Sequence, residues 1–274
     1  MINPLGLHAS FTKTLPLPER MVVLREAGFD ATALWWEHQR LEIREIRDRA
    51  PDMVRRAGLD LDHLHVPYFA CNELWSLVES DRAAALTLHR GWIEDCHRHA
   101  IPRMVMHVTR GKTSPPPSPA ALDVFRTLTA SAEDAGVTLA LENTHCPAHL
   151  DFIFTAIDSP ALTLCYDVAH DRLHSPSPRD LLRTWATRTS VLHVSDTDGR
   201  RDWHWLPGDG NTNFAEVGAC FSPPFVGPVM LEGMHRGETE DPLAFARRAY
   251  IAATQTQEAL NAKHPLGNTL LSPS

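Results

Sequence analysis

Short apolar runs alternate with longer amphipathic segments from one end of the chain to the other. Eight runs predict strands: 5–10 (LGLHAS), 31–36 (ATALWW), 61–66 (LDHLHV), 103–108 (RMVMHV), 138–143 (TLALEN), 162–168 (LTLCYDV), 191–196 (VLHVSD) and 228–233 (PVMLEG). Between them the spacing predicts helices over 18–27, 39–57, 77–100, 119–135, 178–188 and 241–260, with short ones near 148–157 and 213–220. The 119–135 segment is the plainest, because Leu122, Phe125, Leu128 and Ala132 fall on one face. Ala27-Gly28, Ala57-Gly58 and Ala135-Gly136 each place a glycine where a left-handed cap is wanted, directly before a strand. Pro18, Pro178 and Pro242 suit first-turn positions, where a missing N–H costs nothing.

Strict strand–helix alternation implies a parallel sheet, and eight repeats in roughly 250 residues is the size of a (β/α)8 TIM barrel. An open doubly wound sheet would want a glycine-rich turn after the first strand, and HASFTKTLP is not one. The expectation is an α/β chain with a single barrel domain over 1–260 and a loose tail over 261–274. Segments 110–120 (RGKTSPPPSPA) and 171–177 (DRLHSPS) follow the fourth and sixth strands and read as lid candidates or plain surface loops.

Composition changes this picture little. Hydrophobic residues at 43% and charged residues at 22% suit a soluble globular chain. No apolar run approaches a membrane span, and MINPLGLHAS has no basic stretch followed by an apolar core, so a cytoplasmic location is the expectation. A net charge of −8 gives no general pull on nucleic acid. The five scattered cysteines form no C-x-x-C pair and read as reduced thiols. Histidine is plentiful at 16, but His89, His97 and His99 sit in a helical stretch and His264 in the tail, so the count alone says little.

Position says more. The third strand ends in His65, the fourth in His107, the fifth in Glu142, the sixth in Asp167, the seventh in His193 and the eighth in Glu232. The seventh opens onto a loop, SDTDGRRDWHWLPGDG, that carries Asp196, Asp198, Asp202 and His204, and His170 follows Asp167 at three residues. In a barrel the C-terminal strand ends converge on one mouth. Any one of these side chains alone reads as a satisfied core histidine or a solvated acid. Six consecutive strands ending this way do not, since buried unpaired charges are expensive and a divalent cation keeps several carboxylates ionised together. Imidazole and carboxylate without cysteine suit zinc, manganese, cobalt or iron(II). Trp35, Trp36, Trp75, Trp203 and Trp205 lie at or after strand ends, where their rings either pack or stack on a ligand face, and Arg110, Lys112, Arg200, Arg201 and Arg236 either hold an anion or sit in solvent.

The stretches HVPY (65–68), MHV (106–108), LALENT (139–144), YDVAH (166–170), HVSDTDGRRDWHWLPGDG (193–210) and MLEGM (230–234) together resemble the xylose-isomerase-like TIM-barrel superfamily. That superfamily holds sugar and sugar phosphate isomerases and epimerases together with the apurinic endonuclease IV family. The resemblance implies one divalent ion, zinc, manganese or cobalt, on Glu142, Asp167, His193 and Glu232. Glu142 and Glu232 would then be the proton-transfer pair for an enediolate reaction on a small hydroxy-carbonyl sugar, with His170 on a substrate oxygen and Trp36, Tyr68, His107, Arg201 and His204 as further substrate contacts. The endonuclease pattern implies up to three ions and adds His65, His107, His170, Asp202 and His204. Ser195-Asp196-Thr197-Asp198 departs from that branch's Asn-Asp-Ser-Lys, which weakens a DNA substrate. The other readings are a zinc phosphodiesterase, a metal-dependent dehydratase or lyase, and a non-catalytic metal-binding protein. The partner expected is a carbohydrate-like small molecule, with a second copy of the chain open as another.

Overall fold

The computed structural model describes residues 3–36, 41–237 and 239–262. Eight strands, each parallel to its neighbours, close in sequence order into one barrel. They are β1 (Leu5–Leu7), β2 (Ala31–Trp35), β3 (Asp60–His65), β4 (Arg103–His107), β5 (Thr138–Glu142), β6 (Leu162–Asp167), β7 (Thr189–Val194) and β8 (Val229–Leu231). Closure is direct, with Leu5 of β1 beside Val229 of β8. Gly6 makes this seam possible, because a Cβ there would lie 2.8 Å from the sulfur of Met230.

Helices α1 (Leu17–Ala27), α2 (Leu41–Arg56), α3 (Glu79–Arg98), α4 (Pro119–Ala135) and α5 (Pro147–Ala156) cover the outside. They are followed by α6 (Val168–His174), α7 (Asp180–Trp185), α8 (Phe214–Gly218) and α9 (Pro242–Asn261). Gly28 and Gly136 cap α1 and α4 in the left-handed conformation, at φ 109° and 66°. Asp241 caps α9 by accepting from the N–H groups of Leu243 and Ala244, with Pro242 in the first turn as expected. Pro178 does not open a helix. Arg179 turns the chain first, at φ 74°, and α7 begins at Asp180. Segment 171–177 is largely helix rather than loop: the Asp167 carboxylate accepts the His170 N–H and so starts α6 directly at the end of β6. From Lys263 onward the expected tail lies outside the described residues. No helix among the described residues is long and apolar enough to cross a membrane.

One buried histidine belongs to the scaffold alone. His89 of α3 is 1% exposed, donates from Nδ1 to the Ala85 carbonyl at 2.7 Å and packs edge-on against Trp92. Burial pushes its imidazole from 6.5 down to about 4. Between those values the unfolded chain holds a proton that the folded chain does not. Stability is therefore complete above pH 6.5 and falls as pH drops toward 4, by about 3 kcal/mol over the window. His89→Phe keeps a ring against Trp92 and removes the titration. Urea unfolding at pH 7 and pH 4.5 should show a smaller acid loss for the variant; equal losses would assign the acid sensitivity elsewhere.

Candidate active site

Strand register sets the mouth of the barrel. His107 pairs with Glu142 across β4 and β5, and Asp167 pairs with His193 across β6 and β7, so four strand ends stand level. Glu232 follows β8, its N–H held by the Val194 carbonyl. Ligand atoms of Glu142, Asp167, His193 and Glu232 lie within 4.8 Å of one another, and the first three side chains are fully buried. His65, His107 and Glu142 form a second such group.

Glu142 is the hub. Its Oε2 lies 3.0 Å from His65 Nε2 and 2.9 Å from His107 Nε2. Its Oε1 lies 3.1 Å from His193 Nδ1 and 3.4 Å from His170 Nδ1. A third cluster caps the mouth: Asp202 Oδ2 sits 3.4 Å from His170 Nε2 and 3.1 Å from His204 Nε2. All nine residues predicted as ligands thus meet at one place.

Electrostatics follow from this crowding. Burial opposes ionisation of Glu142, yet the charges of His107 and His193 hold its carboxyl well below the usual range. Glu232 is likewise disfavoured by burial but drawn down to about 2, chiefly by His193. Asp167 is the exception. Burial pushes it up to about 6, against the pull of His170. Its Oδ2 is buried with no hydrogen-bond partner. Burial works against charge on His170 and His204 too, but surrounding carboxylates raise both, His204 to about 9. A buried carboxylate oxygen lacking a donor, aimed among two more carboxylates and an imidazole, suits a divalent cation. The donor set therefore fits the ion that the strand ends imply.

The long loop after β7 is built around Asp196. Its Oδ1 accepts the N–H groups of Thr197 and Thr212 at 2.8 and 3.1 Å, and its Oδ2 those of Gly208 and Gly210 at 3.0 Å each. Asp196 is thus a loop anchor rather than a ligand, and Asp198 turns the chain by accepting from the N–H of Arg200. The LPGDG run has its glycines here because the loop wraps this carboxylate. A Cβ on Gly210 would lie 2.6 Å from the Thr197 carbonyl oxygen. The anchored loop holds His204 at φ 48°, a left-handed value rare outside glycine, with its side chain lining the site.

A cavity of about 750 Å³ opens over these groups, within the size range of small-molecule sites. Tyr68, His107 and His204 line it, and Tyr68 stacks on His107 at 5.0 Å. Trp36 contributes only wall: it is fully buried, and its indole N–H donates to Asp95 at 2.8 Å. The ring at the mouth is Trp35, packed 5.1 Å from His65 and 5.6 Å from Tyr68. Arg201 does not line the cavity. It is exposed and lies over the Trp203 ring, which stacks on Trp205. Arg110 starts the Pro-rich segment, and its backbone N–H and carbonyl are both bonded by the Asn72 side chain, which ties the root of that loop down.

Several site residues were not singled out from sequence. His8 lines the cavity and accepts the Ser10 N–H on Nδ1, and burial keeps it neutral by pushing it to about 3. His145 and His174 stack at 3.9 Å on the rim. Cys165 groups with Glu142 and His193, so a cysteine does reach the cluster; burial pushes its thiol up to about 12 and keeps it neutral. Behind His193 lies His63, with Nε2 of the two rings 3.1 Å apart.

A family model described as xylose isomerase-like TIM barrel matches residues 22–253. No curated protein sequence matches the chain. Among solved structures, D-psicose 3-epimerase from Clostridium cellulolyticum H10 superimposes with a TM-score of 0.76 at 15% identity, over 94% of this chain and 100% of that one. The 3-keto-D-glucoside 4-epimerase YcjR from E. coli gives 0.72 at 17% identity, over 92% and 99%. A xylose isomerase domain protein from Alicyclobacillus acidocaldarius gives 0.72 at 18%, over 96% and 100%. At such identities the likeness establishes the fold.

Proposed function

This chain belongs to the xylose isomerase-like TIM-barrel family, and from that premise we propose that it is a divalent-metal-dependent isomerase or epimerase of small keto sugars. The observation that carries this reading is the group of Glu142, Asp167, His193 and Glu232, with two glutamates flanking one imidazole nitrogen at 3.1 and 3.3 Å. These four side chains would hold the ion. When bound, it supplies Lewis acidity at the carbonyl and neighbouring hydroxyl oxygens of the sugar, which favours an enediolate. Glu142 comes from β5 and Glu232 from the end of β8, so the two carboxylates approach the cavity from different sides. One removes the proton beside the carbonyl and the other delivers one to the opposite face. His170 and His204, both raised and lining the cavity, donate to substrate oxygens, and Trp35 and Tyr68 offer aromatic faces.

The test is proton exchange. The protein is incubated in D2O with ketohexoses, ketopentoses and 3-keto-glycosides, each with added manganese, cobalt or zinc. Deuterium entering at the carbon beside the carbonyl, with formation of the epimer or aldose, is the expected result. No exchange with any pair would sink the reading.

A second reading is supported by the other clusters. His65, His107 and Glu142 share a carboxylate with the first group, and Asp202 lies between His170 and His204. Two or three ions on these groups would suit a phosphodiester hydrolase, since paired ions stabilise both attacking and leaving oxygens. Metal content of protein purified without chelator discriminates. About one ion per chain favours the isomerase, and two or three move phosphoester hydrolysis ahead.

A further inference from the structure

His193 has both ring nitrogens engaged. Nδ1 faces the carboxylates, while Nε2 points back into the barrel, 3.1 Å from Nε2 of His63. The chain continues: His63 Nδ1 lies 2.8 Å from Asp62 Oδ2, and Asp62 Oδ1 accepts from Arg103 at 2.6 Å. Both imidazoles are fully buried and Asp62 is 6% exposed, so the line is shielded from bulk solvent.

Proton positions along it are determined. For Nδ1 of His193 to ligate a cation its lone pair must be free, which puts the ring proton on Nε2. That N–H needs an acceptor, so Nε2 of His63 must be bare and the His63 proton must sit on Nδ1. Cys165 also lies against His193, but its thiol stays neutral and is a weak acceptor. The arrangement that satisfies the stronger groups therefore gives His63 Nδ1–H to the Asp62 carboxylate, which Arg103 keeps paired. Every donor then has an acceptor, and one proton arrangement satisfies the whole line.

We propose that Asp62 and His63 are positioning residues that hold His193 as the Nε2–H tautomer, leaving its Nδ1 lone pair for a divalent cation among Glu142, Asp167 and Glu232. This rests on the reading of that group as a cation site. Neither residue touches substrate; both act through His193.

The probe is zinc on the full chain. Long-range 1H–15N spectra of the zinc-loaded wild type should show His193 protonated on Nε2 and His63 on Nδ1. A His193 ring protonated on Nδ1 overturns the proposal. Competition with a chromophoric chelator gives the affinity for the first zinc equivalent. His63→Leu, which removes the acceptor, should weaken it about 10–100-fold, whereas His63→Gln, whose Oε1 can accept the same N–H, should stay within about 3-fold. A residue that only filled space would show no such rescue, so equal affinities for the two variants overturn the positioning role. If His63→Leu does not fold, the wild-type spectrum still decides. Wild-type protein that binds no zinc sinks the functional reading as well. Zinc binding unchanged in His63→Leu sinks only the positioning role.

Discussion

Glu142→Gln is expected to lower turnover of any sugar the wild type epimerises by about 10³-fold or more, in line with the loss of a positioned general base. Both oxygens of Glu142 are engaged, Oε2 by His65 and His107 and Oε1 by His193 and His170. An amide can accept on only one side, so the variant loses a base and leaves at least one imidazole facing an N–H group. The matching variant, Glu232→Gln, makes the measurement specific. With two bases on two faces, each variant keeps one carboxylate that removes a proton and returns it to the same face. Starting from each epimer in D2O, one variant should wash deuterium into one epimer and the other variant into its partner, while neither interconverts them. Unchanged epimerisation in Glu142→Gln would remove this residue from the chemistry. Loss of exchange from both epimers in both variants would instead make the glutamates ligands only.

Much of this site was legible in the sequence because a barrel converts sequence order into spatial proximity. Once eight strands alternate with helices, their C-terminal ends must lie on one rim, and His65, His107, Glu142 and Asp167, each last in its strand, do so together with His193, one residue before the end of β7. The strand positions themselves followed from buried apolar runs, since parallel barrel strands are covered on both faces. Helix α6 was hidden for a related reason. Val168 and Ala169 extend the apolar run of β6, and the break is made by one hydrogen bond, Asp167 capping the His170 N–H. Trp35 and Trp36 differ by one residue and therefore by a whole face. Trp35 shares a register position with His65, and Trp36 turns outward to Asp95. His63 is legible in the same way, because it lies two residues before His65 on the same strand and so on the same inward face. The roles of Asp196 and Arg201 were not readable at all. Whether a loop carboxylate meets a ligand or four backbone N–H groups depends on a loop conformation that no periodicity encodes.

Removing divalent ions should destabilise the protein by an amount out of proportion to the size of the site. Glu142, Asp167 and Glu232 bring three carboxylates into one buried cluster, and Asp167 Oδ2 has no donor there. A cation held at about a thousand times its dissociation constant adds about 4 kcal/mol to the folded state. In a chain of this length that is a fall of about 10 °C in thermal midpoint on chelation. Asp167→Asn should behave in the opposite sense. Burial disfavours the Asp167 charge strongly enough to outweigh the attraction of His170, and an amide keeps the acceptor that caps α6 while removing that charge. The variant should therefore melt at or above the wild type when both are metal-free, and below it when both are loaded. That crossing is the signature of a residue kept for its ligand at a cost to the scaffold. If chelator leaves the wild-type midpoint unmoved, the cluster holds no cation that matters to folding and the metal-dependent reading falls with it. If Asp167→Asn melts lower in both states while chelation still lowers the wild type, the Asp167 charge is no cost to the scaffold.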